Sequence, residues 1–130
     1  MQLTETKPQF VDARGEIKDI LFKEPIDAVT VIVSKKGVVR GHHYHKETTQ
    51  WIYLHSGRLN SLTQNPGEGV VARVLRPGDL ICSPPHERHA IEALEDSVFY
   101  VFTRGPRGGE SYETDTFRLD TPLVAPVAAR

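Results

Sequence analysis

Short apolar runs rich in β-branched residues, separated by glycine and proline turns, recur along the whole chain. AVTVIVS at Ala28–Ser34 and SVFYVFT at residues 97–103 are two of the longest. Nine prolines and ten glycines punctuate the sequence, and no stretch has the repeat of an amphipathic helix. Short strands and turns at this spacing predict an all-β sandwich or barrel. The nearly continuous apolar content of the two long runs predicts strands that are largely buried, on both faces.

The chain is short and almost neutral. Its 130 residues fit one domain, predicted to span residues 1–130 with a core at about 10–119 and peripheral arms at 1–9 and 120–130. The 16 basic and 17 acidic residues form no long run of one sign, so we expect no nucleic-acid partner. No apolar run has the length of a membrane span, and the single cysteine, Cys82, cannot form an intramolecular disulfide. We therefore expect a cytoplasmic protein with no membrane partner.

A pair of histidines stands in the stretch GVVRGHHYHKETTQWIYLHSG, at residues 37–57. His43 and His45 are two residues apart, so in an extended strand both imidazoles leave the backbone on the same face. Two neutral imidazoles held at a fixed separation are suited to Zn, Fe, Ni or Cu. A further ligand must come from elsewhere in the chain. His86 and His89 follow the Pro84-Pro85 pair that ends the strand LICS.

These spacings resemble the two motifs of the cupin superfamily. The first motif is a glycine, five residues, His-x-His, three or four residues, a glutamate, six residues and a glycine. It is matched by Gly37, His43, His45 and Gly57, with Gln50 at the glutamate position. The second motif is similar to the segment at residues 78–89, which runs from a glycine through a proline to the ligand histidine. Two positions depart from it: His86 replaces the usual glycine and, beyond this segment, Ala93 replaces the usual asparagine. The resemblance implies a double-stranded β-helix, that is, a jelly-roll barrel, and a homodimer.

In cupins these four motif positions hold one divalent metal, so the resemblance implies His43, His45, Gln50 and His89 as ligands. An amide oxygen carries no formal charge, so a site with Gln50 should bind a cation more weakly than a site with glutamate. We expect zinc first, with iron, manganese or nickel as alternatives. The competing interpretation is that the histidines line a pocket without metal.

Two further segments narrow the resemblance. FVDARGEI and VTVIVSKKGVVRGHHYHK look like the sequences of sugar-nucleotide epimerases and ketoisomerases, notably the C-terminal cupin domain of capsular polysaccharide synthesis enzymes. A tail similar to that domain's lies at residues 112–116. The resemblance implies an enzyme that removes a proton next to the carbonyl of a sugar, in particular a nucleotide-linked sugar, and returns it on another face or carbon. A metal-dependent cupin oxygenase and a non-catalytic cupin that binds a small molecule are the alternatives.

The same resemblance gives His43 two competing roles. In dTDP-sugar 3,5-epimerases the corresponding histidine is a general base, whereas in metal cupins it is a ligand. One nitrogen lone pair cannot serve both roles. If His43 is a ligand, the base must be another group, and His86, Glu47 and Tyr53 are the candidates. Arg40 would suit an anionic group of the substrate, because guanidinium forms paired bonds with phosphate or carboxylate.

Overall fold

The computed structural model describes residues 1–106 and 114–126. In this part of the chain the backbone forms twelve β-strands and no helix. The strands are β1 (Gln2–Glu5), β2 (Phe10–Asp12), β3 (Gly15–Ile17), β4 (Ala28–Ser34), β5 (Val39–Tyr44), β6 (Thr49–Ser56), β7 (Leu59–Gln64), β8 (Val71–Leu75), β9 (Asp79–Ser83), β10 (Arg88–Ala93), β11 (Ser97–Arg104) and β12 (Phe117–Arg118). Nothing helical in these residues has the length and hydropathy needed to cross a membrane.

The strands form two five-stranded sheets and a small hairpin. One sheet has the order β1-β9-β6-β11-β4, the other has the order β12-β5-β10-β7-β8, and β2 pairs with β3. All the strand pairs are antiparallel. The predicted all-β fold of two packed antiparallel sheets is confirmed.

The main core lies between the two sheets. It contains Leu54 and Phe99 from the first sheet and Leu59 and Leu75 from the second, each of which is at most 1% exposed. Successive residues of a strand point to opposite faces, so each sheet contributes every second side chain to this core. Burial of these apolar side chains is the main favourable contribution to the stability of the sandwich.

The two long apolar runs differ in burial. In β11 no residue from position 97 to 103 is exposed, which agrees with the prediction. In β4 the prediction is wrong for one face, because Val29, Val31 and Val33 are 62%, 56% and 64% exposed. Alternate residues of a strand point to opposite faces, and only the inward face of β4 packs on the core. An apolar run does not reveal whether its outer face is covered.

Both ends of the described chain pack on the sandwich. β1 pairs with β9 of the same chain. The tail beyond residue 119 was predicted to be peripheral, yet Leu123 and Ala125 are buried in a second cluster with Leu62 and Ala90. The tail is also tied to β5, because the backbone N–H of Leu123 donates to Nδ1 of His42 at 3.0 Å.

Candidate functional site

Three histidines from two neighbouring strands meet inside the sandwich. His43 lies on β5, His45 directly follows that strand, and His89 pairs with His43 across β5 and β10. The ring centroids are 4.6 Å apart for His43 and His89, 5.0 Å for His43 and His45, and 5.2 Å for His45 and His89. One ring nitrogen from each residue lies within 4.8 Å of the corresponding nitrogens of the other two. This histidine cluster could hold a metal ion.

A glycine allows β5 and β10 to approach each other beside the cluster. Gly41 has a φ of 106°, a value that favours glycine, and a Cβ at this position would lie 2.8 Å from the carbonyl oxygen of His89. The next residue, His42, also has a positive φ, of 57°. This local twist of the backbone precedes His43, and the pairing of the two strands changes register between His89 and Ala90.

The tautomer of His45 follows from its hydrogen bond. Its Nδ1 lies 2.8 Å from the backbone carbonyl oxygen of Asp115, and a carbonyl can only accept, so Nδ1 carries the proton. Nε2 therefore has a free lone pair, and this buried atom has no hydrogen-bond partner among the residues that the structure describes. A buried acceptor without a partner is unfavourable, and coordination of a cation would satisfy it. The chemistry of this donor set therefore fits a divalent metal.

The surroundings of His89 favour a neutral imidazole. His89 is buried, and burial, followed by the proximity of His43 and His45, lowers its pKa to about 3. At neutral pH its imidazole is therefore uncharged, which is the form that binds metals or accepts a proton.

The cluster borders a cavity of about 600 Å³ that lies between β4 and β5. About half of its wall is apolar, with residues such as Ile52, Ile91 and Phe99. Six side chains give it polar character: Thr30, Arg40, His43, Gln50, His89 and Arg118. No carboxylate lines this cavity among the residues that the structure describes. The cavity is therefore suited to a partly apolar ligand with an anionic group.

Arg40 also joins the two sheets at the side of the cavity. Its Nε donates to Oγ of Ser34 at 2.8 Å, and its Nη2 lies 3.3 Å from the carbonyl oxygen of Val33. Both partners belong to β4, so the guanidinium connects β5 to the edge strand of the other sheet. Its predicted role toward a substrate is compatible with this position but is not tested by it.

Of the remaining predicted site residues, one lines the cavity and three do not. Gln50 is buried and lines the cavity with His43 and His89, as a fourth ligand would require. The three candidate bases, His86, Glu47 and Tyr53, are absent from the wall of this cavity.

The three candidate bases lie elsewhere for two reasons. His86 and Glu47 are exposed residues of loops. Tyr53 is buried on the opposite face of β6 from Ile52, and Nζ of Lys18 lies 5.5 Å from its ring centroid. Their catalytic roles therefore remain predictions.

Two residues of the site were not predicted. Arg118 reaches the cavity because β12 pairs with β5, which places it opposite His43. Asp115 contributes its carbonyl to His45, and its carboxylate accepts hydrogen bonds from the N–H groups of Lys46, Glu47 and Thr48 and from the Thr48 hydroxyl, at 2.8 to 3.0 Å. The only sequence signal for Asp115 was its position in the tail at residues 112–116 that resembles the capsular enzymes. Residues 112 and 113 of that tail lie outside the described residues.

Comparison with known proteins identifies the family. The family model described as Cupin matches residues 16–126. The chain belongs to the cupin family. Among proteins with curated functions, none matches this cupin significantly.

Solved structures of sugar-nucleotide enzymes have the same fold as this cupin. A histidine-to-asparagine mutant of the 3,4-ketoisomerase QdtA from Thermoanaerobacterium thermosaccharolyticum, in complex with TDP-4-keto-6-deoxyglucose, is 22% identical with a TM-score of 0.74, over 91% of this chain and 86% of that chain. A 3,4-ketoisomerase from Helicobacter canadensis is 18% identical with a TM-score of 0.75, over 90% and 89%. The dTDP-4-dehydrorhamnose 3,5-epimerase from Sulfolobus tokodaii is 22% identical with a TM-score of 0.70, over 92% and 82%. At these identities the likeness establishes the fold and not the reaction.

Proposed function

We propose that this cupin is an isomerase or epimerase of a keto sugar linked to a nucleotide. It would remove a proton next to the carbonyl and return it on another face or carbon. The observation that carries the proposal is the cluster of three histidines at the wall of a cavity that two arginines also line. The resemblance of the fold to QdtA, whose mutant was solved with TDP-4-keto-6-deoxyglucose, supports this substrate class.

The two arginines are suited to the anionic part of such a substrate. Arg40 and Arg118 line the same cavity as the histidine cluster. Guanidinium groups form charge-assisted hydrogen bonds with phosphate, and these bonds would orient a nucleotide diphosphate. The apolar wall near Ile91 and Phe99 would exclude water from the sugar. Binding energy from the nucleotide would thereby position the keto sugar beside the imidazoles.

We infer that the cluster holds a divalent metal, with His43, His45 and His89 as ligands, Gln50 as a fourth donor and zinc as the first choice. Such an ion would supply a Lewis acid that stabilises the enolate oxygen formed when the proton leaves. The orphaned Nε2 of His45 supports this inference. Asp115 would keep that imidazole in the tautomer that offers Nε2 to the ion.

A second candidate is the same reaction without a metal, with His43 as the base. The composition of the cavity wall favours it, because no carboxylate or tyrosine lines the described part of the cavity. If all three imidazoles bind an ion, the proton must be taken by a group outside this wall. If no ion is bound, a neutral imidazole beside the substrate can accept it.

Solvent exchange tests the reaction and separates the two candidates. The protein, purified without a nickel column and analysed for metals, is incubated with 4-keto UDP- and dTDP-sugars in deuterium oxide. We expect deuterium at C3 or C5, observed by mass spectrometry and proton spectra, and we expect its loss in His43→Ala. His55→Ala is the matched control, because His55 is an exposed histidine on β6 outside the cavity.

The results of the exchange experiment with and without metal distinguish the two candidates. Exchange that is lost on chelation and restored by zinc supports the metal centre, whereas exchange that survives complete metal removal supports His43 as the base. No incorporation with any 4-keto sugar would contradict the isomerase. In that case oxygen uptake with ferrous iron would indicate an oxygenase, and no uptake would indicate a binding protein. The His43→Ala result counts only if that variant still unfolds cooperatively.

We also propose that the partner of this chain is a second copy of itself. The outer face of β4 exposes Val29, Val31 and Val33 at the edge of a sheet. A row of exposed valines on an edge strand favours association, and twofold dimers are the commonest oligomers.

A further inference from the structure

A serine and a glutamate lie directly behind His89, on the side of its Nδ1 atom. Oγ of Ser83 is 3.3 Å from Nδ1 of His89, and the same hydroxyl donates to Oε1 of Glu87 at 3.2 Å. Both residues are buried, with exposed fractions of 5% for Ser83 and 1% for Glu87. A side chain as polar as glutamate is rarely buried to this degree unless it has partners, so its position needs an explanation.

The backbone turn before β10 places Glu87 in this position. The two prolines, Pro84 and Pro85, end β9, and His86 adopts a φ of 71°. The turn is tied to the histidine cluster, because the N–H of His86 donates to the carbonyl oxygen of His45 at 2.6 Å. The chain then continues into β10 through Glu87, whose carboxylate faces the interior and also contacts the amino group of Met1.

The direction of these hydrogen bonds determines the tautomer of His89. A carboxylate can only accept, so the single hydroxyl proton of Ser83 is directed to Glu87. The hydroxyl oxygen can then only accept from His89, so Nδ1 must carry the imidazole proton. Nε2 is left with its lone pair as the atom available to a cation or a substrate proton.

We propose that Ser83 and Glu87 are positioning residues that fix the orientation and the tautomer of His89. Glu87 orients the hydroxyl of Ser83, and that hydroxyl holds Nδ1–H of His89, as the carbonyl of Asp115 holds Nδ1–H of His45. Two of the three imidazoles of the cluster are thus set in the same tautomer by different groups. Neither Ser83 nor Glu87 lines the cavity, so both act through His89.

The tautomer is measured directly by long-range nitrogen–proton correlation spectra of the full chain labelled with ¹⁵N-histidine at neutral pH. The signals of His89 are assigned from their loss in His89→Asn. We expect the Nδ1–H pattern in the wild type and a mixture of both tautomers in Ser83→Ala. Ser83→Thr, which keeps the hydroxyl, should restore the wild-type pattern. The matched control is Ser97→Ala, because Ser97 is also a buried serine with hydrogen bonds but belongs to β11 and contacts no histidine of the cluster.

A second variant tests the role of Glu87 and covers the case in which Ser83→Ala does not fold. In Glu87→Gln the amide oxygen can still accept, so the Nδ1–H tautomer should persist. In Glu87→Leu the hydroxyl loses its acceptor and can donate to Nδ1, so His89 should shift toward the Nε2–H tautomer. An unchanged Nδ1–H pattern in both Ser83→Ala and Glu87→Leu would overturn the proposal.

Zinc titration by calorimetry adds a readout that a purely structural role would not change. Loss of a group that orients a metal-binding histidine weakens metal affinity about 10- to 100-fold, so we expect a loss of this size in Ser83→Ala and none in Ser97→Ala. The zinc titration rests on the proposed metal centre, whereas the tautomer of His89 can be measured without an ion or a substrate. A changed tautomer without zinc binding or solvent exchange would therefore contradict the proposed function and leave the positioning role supported.

Discussion

Nδ1 of His45 lies 2.8 Å from the backbone carbonyl oxygen of Asp115, whose carboxylate also holds the loop that follows His45. The carboxylate accepts three backbone N–H groups and one hydroxyl from residues 46–48. One residue near the end of the described chain therefore orients an imidazole and holds the connection between β5 and β6.

Replacing this carboxylate should destabilise the fold. Asp115→Ala leaves the N–H groups of Lys46, Glu47 and Thr48 without their acceptor. A hydrogen bond to a charged group contributes about 1.5–3 kcal/mol, and the loop can recover part of this through water, so we expect a loss of about 2–3 kcal/mol in the free energy of unfolding. Urea unfolding measures the loss. Asp120→Ala, which removes an exposed aspartate of the same tail, should change stability by less than about 0.5 kcal/mol.

The carboxylate of Asp115 should also make the stability of the fold sensitive to acid. Burial raises the pKa of Asp115, but the hydrogen bonds from Glu47, Thr48 and Lys46 outweigh it and leave the pKa below its ordinary value of 3.8. A group with a lowered pKa in the folded state stabilises the protein above its unfolded pKa, and this contribution is lost as the pH falls through the folded value. In Asp115→Asn the fall in stability below about pH 4 should therefore be shallower than in the wild type. Urea midpoints between about pH 5 and pH 2.5 measure this, and an equally steep fall in both proteins would contradict it.

The close approach of β5 and β10 predicts the effect of a single methyl group. Gly41→Ala places a Cβ 2.8 Å from the carbonyl oxygen of His89 and 3.0 Å from Cα of Ala90, at a φ of 106°. We expect a loss of about 3–5 kcal/mol, because neither backbone atom can move without separating the strands. Gly37→Ala is the matched control: its φ of 88° is equally unfavourable, but nothing lies within 4 Å of the added Cβ. It should cost only about 1–2 kcal/mol. Equal losses in the two variants would show that contact with β10 has no effect.

The parts of this site that could be predicted are those determined by strand geometry. The alternation of a strand puts His43 and His45 on one face, and the cupin spacing adds His89 and Gln50. The turn at Pro84-Pro85, which precedes His89, was also visible in the sequence.

The remaining parts depend on contacts between segments that are distant in sequence. The carbonyl of Asp115 has no side-chain signature, although it determines the tautomer of His45. Glu87 resembles any loop glutamate until the fold shows that it is buried beside Ser83. Composition could not separate His86, which lies in an exposed loop, from His89, which is buried three residues later.

The exposed valines of β4 predict a change in oligomeric state. Val29 is 62% exposed and does not line the cavity, so Val29→Lys should disturb a dimer without changing the histidine cluster. We expect the wild type to elute as a dimer in size-exclusion chromatography with light scattering, and the variant to shift toward a monomer. Val71→Lys, which alters a 51% exposed valine on β8 in the other sheet, should leave the mass unchanged. A monomeric wild type at about 100 μM would contradict the proposed dimer, because biological dimers of standard interface size persist at such concentrations.

Gln50 occupies the position where the cupin motif usually has glutamate, and the substitution Gln50→Glu restores the usual residue. Gln50 lines the cavity with His43 and His89 and is 6% exposed. A carboxylate at this position would add a negative charge beside the proposed cation without a large change in shape. In a partly buried site such a pair gains more attraction than in water, so we expect Gln50→Glu to bind zinc at least about tenfold more tightly, or about 1.4 kcal/mol.

The control for this variant carries the same change of charge far from the cavity. Gln2→Glu alters an exposed residue of β1, at the opposite end of its sheet from β4, and should leave zinc affinity unchanged. Calorimetric titration of zinc into chelator-treated protein measures all three affinities. If Gln50→Glu binds zinc no more tightly than the wild type, Gln50 does not face the ion, and the donor set is limited to the three imidazoles. If neither the wild type nor Gln50→Glu binds zinc, the cluster works without metal. In that case the carboxylate introduced by Gln50→Glu should make a neighbouring imidazole easier to protonate.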